Sequence, residues 1–176
     1  MQTDTSKALA NKAFTLDDLA KLAADVKTPN LQACQIPIIN IPTSLSGGEY
    51  TPNGGATDLR TQRKVSFAHP SMGASLIILD PALSISTPEK TCIASGMRAV
   101  DHCVEGLCSP ESTEENDASF IKGLNLLVPS LLITKKDRGN EEARLNEMKG
   151  VIEAIRGGMS FANFLSISSN HLQTQH

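Results

Sequence analysis

Tryptophan is absent from this sequence, tyrosine occurs once and aromatics make up 3% of the residues. No basic run accompanies them, and the net charge is −3, so the electrostatic footprint of a nucleic-acid binder is missing. The four cysteines, at 34, 92, 103 and 108, contain no CxxC pair, which excludes a zinc ribbon or a thioredoxin-type site. They read as reduced and mostly packed thiols. The first residues, MQTDTSKALANKAF, lack the apolar core of a signal peptide. The longest apolar stretch, GLNLLVPSLLI, is about half a membrane span and contains a proline. A cytosolic protein with no membrane partner is expected. There are no internal repeats.

What is present suits a globular chain. Of its 176 residues 40% are hydrophobic, enough for one core or for two small half-domains. Residues 3–14 read as a helix with Asp4 near its start. A second helix follows over 15–26, with Thr15 as its cap and Leu16, Leu19, Leu22, Ala23 and Val26 on one face. Then the period changes. IPIINIP (36–42) reads as a buried strand, and TSLSGGEYTPNGGATD after it as a loop rich in Thr, Ser and Gly. SLIILD (75–80) reads as another buried strand. From Pro81 onward the pattern is helical. Thr87-Pro88-Glu89 starts a helix running to about Gly106, residues 109–117 form a solvated break, and helices follow over 118–133 and from about 140 to 164. An α/β portion thus feeds an all-α portion, and a cleft between two such portions is a usual place for a ligand.

Two stretches carry candidate chemistry. The loop Thr43–Glu49 combines glycines, which permit close backbone approach, with hydroxyls that donate to a phosphate or ribose; a plain strand-to-helix connection would look similar. The other is GMRAVDHCVEG (96–106), with Arg98 and His102 one helical turn apart on one face. An imidazole and a carboxylate at that spacing could share a metal ion. A guanidinium has no lone pair to give and repels a cation, so this pair disfavours a metal. A lone mid-helix histidine is more often packed or exposed than catalytic. His171 and His176, near the C-terminus, are not a same-face pair.

IPTSLSGGEYTP, ILDPALSISTP, SGMRAVDHCVEGLCSP and the run from EARLNEM to GGMSFANF occur in one order, and in that order they resemble successive blocks of the iron-containing alcohol dehydrogenase superfamily. The wording SGMRAVDHCVE is most similar to the maleylacetate reductases. The resemblance implies a dehydroquinate synthase-like fold, with a partial nucleotide-binding α/β domain over 1–81 and a partial helical domain over 82–176. It implies NAD(P)H as the cofactor. TDTSKA looks like the helix behind the family's pyrophosphate loop, with Asp4 and Lys7 at its usual Asp and Lys. Thr43, Ser44 and Ser46 match the family's cofactor-contacting loop, and Lys64 matches a basic residue of the cleft. His102 coincides with a histidine that ligates iron or zinc in the metal-dependent branch.

The departures shape the expected chemistry. Arg98 stands where the metal branch has aspartate, and Leu172 where NHLQTQH would carry a middle histidine. The resemblance therefore implies a reductase without a tightly held metal. It would act on a small keto acid such as maleylacetate, with Arg98 holding the substrate carboxylate and His102 or His176 supplying a proton. The family's glycine loop before TDTSKA and its helices after His176 are missing from this sequence, so a portion of a longer protein is expected, with weakened cofactor binding. Apolar faces left uncovered would favour a homodimer. Two alternatives stay open: a silent relative serving as scaffold or subunit partner, and a metal-dependent alcohol dehydrogenase.

Overall fold

The computed structural model describes residues 2–15, 17, 18, 21, 36–68 and 72–159. Most of the expected helix over 15–26, the end of the last helix, Cys34, His171, Leu172 and His176 lie outside the described residues. The chain divides into two compact units. One comprises Met1–Pro42 and Gly48–Leu79, the other Thr43–Gly47 and Asp80–His176.

The first unit begins with α1 (Gln2–Ala10), which carries Asp4 in its first turn and Lys7 in its last. At Thr15 the expected cap is present: the Asp18 amide donates to Thr15 Oγ1 at 3.1 Å and the Thr15 amide to Asp18 Oδ2 at 3.0 Å, a reciprocal capping arrangement. The two apolar runs give strands only two residues long, β1 (Ile39–Asn40) and β4 (Leu76–Ile77), which pair in parallel with Ile39 opposite Leu76. Pro37 and Pro42 flank β1 and cannot donate to a ladder, which limits its length.

Between them lies a hairpin that the sequence pattern did not suggest, β2 (Asn53–Asp58) and β3 (Arg63–Ala68), antiparallel with Gly54 opposite Phe67. Its first strand, NGGATD, has no apolar alternation. A Cβ on Gly54 would come within 2.4 Å of the Phe67 ring, so glycine there makes room for the ring to cross its partner strand. Phe67 then joins Ala8, Ala13 and Met72 in a small buried core.

The second unit is helical, so an α/β portion followed by helices is what the chain forms. A short helix, α2 (Pro81–Ser84), is capped by the Asp80 carboxylate, which accepts from the Leu83 amide. Three long helices follow: α3 (Glu89–Leu107), α4 (Glu114–Lys136) and α5 (Glu141–Met159). The acidic break is shorter than expected, because Thr113 caps α4 and Glu114, Glu115 and Asp117 occupy its first turn, complementing the helix dipole. By length and composition alone, α4 is sufficient to cross a membrane, more than its apolar stretch suggested. Here it packs against α3 and α5 and buries Phe120, Gly123, Leu127 and Leu131.

Phe120 is wholly buried between two glycines of neighbouring helices. A Cβ on Gly106 of α3 would approach its ring to 2.2 Å, and one on Gly157 of α5 to 2.5 Å. A second feature of the bundle is charged. Arg144 and Glu147, 2% and 1% exposed, pair at 3.5 Å on α5, and the Arg144 guanidinium also contacts the buried Cys92 thiol of α3. Cys103 is buried too, and burial pushes its thiol up to about 11; Cys108 is exposed.

Candidate functional site

Helix α3 organises the chemistry of the second unit. Ser95, Arg98 and His102 stand at i, i+3 and i+7, so they form one stripe along the helix. The loop Thr43–Gly47 is fixed at the start of that stripe. The Leu45 amide donates to Ser95 Oγ at 3.1 Å, and the Thr87 hydroxyl donates to the Thr43 carbonyl at 2.6 Å. Leu45 is buried, and its side chain fills the space over Gly96, where a Cβ would come within 3.0 Å of it. Gly47 has φ +77°, a left-handed conformation that glycine adopts without strain, and it lies against Ile155 and Val151 of α5.

With its backbone pinned, the loop presents its polar side chains. Thr43 and Ser46 are exposed, Ser44 is half-buried, and the Ser44 and Ser46 hydroxyls are hydrogen-bonded at 3.1 Å. Arg98 is exposed on α3, one turn before His102, whose side chain is 13% exposed. Burial, and then the Arg98 charge, hold the His102 imidazole below its ordinary value, against the pull of Glu105 and Asp101. Glu105 Oε2 lies 3.9 Å from His102 Nδ1. The imidazole is accordingly neutral at pH 7.

In the first unit Lys7 is fully buried, and its ammonium donates to the carbonyls of Gly48 and Asn53, each at 2.7 Å. Burial lowers its pKa, opposed by Asp4 and Glu49. The cation is thus occupied in tying α1 to the turn before the hairpin. Asp4 is half-buried in the first turn of α1, and the Thr3 hydroxyl donates to Glu49 at 3.2 Å. Lys64 is exposed on β3, its stem lying over Gly55. His176 is outside the described residues.

Among the described residues no three His, Cys, Asp or Glu side chains converge, and the one histidine of α3 stands beside a guanidinium that already opposes positive charge there.

Residues 2–81 match the sequence profile of the iron-containing alcohol dehydrogenases. A dehydrogenase of Alternaria alternata, ALT3, is 38% identical over 165 residues, a match that covers 85% of this chain and 43% of that protein. Over residues 2–81 the chain is similar to the iron-containing alcohol dehydrogenases. The maleylacetate reductase of Sphingobium indicum is a more distant relative, 28% identical over 117 residues, covering 65% of this chain and 32% of that enzyme. Among solved structures, the sulfoacetaldehyde reductase of Bifidobacterium kashiwanohense in complex with NAD+ superposes with a TM-score of 0.77 at 26% identity. That superposition covers 88% of this chain and 41% of the reductase. The chain thus spans less than half the length of these relatives.

Sequence reasoning singled out the loop hydroxyls, Arg98 and His102, but not the residues that hold the loop. Ser95 gave no signal. Thr87 was visible only as part of a helix start, yet α3 begins at Glu89 with Pro88 in the cap position, and the Thr87 hydroxyl is directed at Thr43 instead.

Proposed function

We propose that the protein is an NAD(P)H-dependent oxidoreductase that reduces a small carboxylate-bearing ketone or enone such as maleylacetate, in the cytosol and without a tightly held metal. The observation that carries this reading is the stripe Ser95–Arg98–His102, with the hydroxyl-bearing loop pinned at its first member. The reduced nicotinamide would supply the hydride. Thr43, Ser44 and Ser46 offer hydroxyls to the cofactor's phosphate or ribose oxygens. Lys7 contributes by fixing α1, since its ammonium is occupied by two carbonyls, and the Asp4 charge supports that ammonium.

Arg98 supports the acidic substrate. A guanidinium presents a planar fork that matches a carboxylate and stays charged at every working pH. His102, neutral at pH 7, suits the part of a hydrogen-bond donor that polarises the substrate carbonyl, with the proton drawn from water. His176 is the second candidate for proton supply.

Steady-state kinetics test the reading. NADH oxidation is followed with maleylacetate and with an uncharged ketone. Arg98→Ala should raise the KM for the acid about 10- to 100-fold, the worth of a charge-assisted hydrogen bond, and leave the uncharged ketone unaffected. An unchanged KM for the acid would remove Arg98 from substrate binding.

A further inference from the structure

We infer that Thr87 and Ser95 are positioning residues: their hydroxyls hold the backbone of the Thr43–Gly47 loop in the shape that receives the cofactor, and neither touches the ligand. This rests on the reading of that loop as the cofactor contact.

Each hydroxyl is engaged. Ser95 Oγ accepts the Leu45 amide and has its own proton directed back at the helix, 2.7 Å from the Thr91 carbonyl and 3.1 Å from that of Cys92. Removing it strands the Leu45 amide above a buried side chain, where no helix or sheet ladder offers an alternative acceptor. Thr87 is itself buried and held from the other side, because Arg138 Nη2 donates to the Thr87 carbonyl at 3.1 Å. Its hydroxyl is therefore a fixed donor to Thr43. The two bonds bracket the loop at residues 43 and 45, Gly47 closes it in the left-handed region, and Ser44 and Ser46 stand alternately between these points. A loop already set in its bound shape spares a ligand the entropy of ordering it.

Ser95→Ala tests the pin directly, because the Leu45 amide reports it by hydrogen exchange. That amide should exchange at least about tenfold faster in the variant, while amides inside α4 and α5 keep their parent rates. NADH titration of the same samples should show affinity reduced about three- to tenfold in Ser95→Ala and in Thr87→Val. Thr87→Ser, which keeps the hydroxyl and loses only a methyl, should bind as the parent does. Unaltered exchange at Leu45 would overturn the inference, and so would equal losses in Thr87→Ser and Thr87→Val. Faster exchange with unchanged NADH affinity would leave the pin standing and overturn instead the reading of the loop as the cofactor contact.

Discussion

Arg98 stands one turn before His102 on α3, and after burial its charge is the largest influence holding that imidazole neutral. Arg98→Met should therefore raise the His102 pKa toward the ordinary 6.5 while burial keeps it below that value. A histidine with a depressed folded-state pKa contributes stability above its unfolded value that is lost as pH falls through the folded one. The variant should lose less stability on mild acidification than the parent. An NMR titration of the His102 ring protons reads the shift, and an unchanged midpoint would contradict the coupling.

The Arg144–Glu147 pair inside the bundle carries a different pH signature. Burial raises the Glu147 carboxyl above its ordinary 4.5, although Arg144 pulls it down. The contribution of this residue to stability is thus full below about pH 4.5 and declines as pH rises through the folded-state value. In Glu147→Gln that decline should vanish from denaturant midpoints measured across roughly pH 4 to 7. Arg144→Met, which leaves Glu147 buried without its cation, should cost about 3–5 kcal/mol, and the double variant Arg144→Met/Glu147→Leu should recover most of it.

Gly106 and Gly157 flank Phe120, and two opposed effects meet there. Alanine improves helix propensity by about 1 kcal/mol over glycine. The added Cβ would lie 2.2 Å from the ring at Gly106 and 2.5 Å at Gly157, well inside contact. Overpacking should win, so each Gly→Ala change should destabilise the chain by about 1–3 kcal/mol in urea unfolding. A gain in stability would show that the ring has room to move aside.

Lys7→Met should remove two charge-assisted hydrogen bonds and leave the Gly48 carbonyl with only the longer 3.4 Å bond from the Thr51 hydroxyl, a loss of about 2–4 kcal/mol. Denaturant unfolding checks it. A variant as stable as the parent would mean that this carbonyl finds another donor.

Much of this architecture is legible in the sequence wherever local signals decide it. The three long helices follow from the helical pattern after Pro81 with its start at Thr87-Pro88-Glu89, and the cap at Thr15 from its residue type ahead of an apolar face. Thr113, with acids directly behind it, announced the true start of α4, but the Ser, Pro and acid content of the break masked it. The β2–β3 hairpin was hidden because its stability comes from Phe67 crossing a glycine of the other strand, a contact that alternation cannot reveal. In the site, Thr43, Ser44, Ser46, Arg98 and His102 were visible by residue type. Thr87 and Ser95 were not, because what marks them is a bond to the backbone of a loop more than forty residues away.

The central claim is that the Thr43–Gly47 loop receives the nicotinamide cofactor. The most direct measurement is a titration of the isotope-labelled chain with NADH, without added metal, followed on the amide resonances of the loop. The account predicts saturable binding with its largest shifts at Thr43, Ser44 and Ser46 and at Ser95 beneath them. A folded chain that shows no saturable shift there would contradict it.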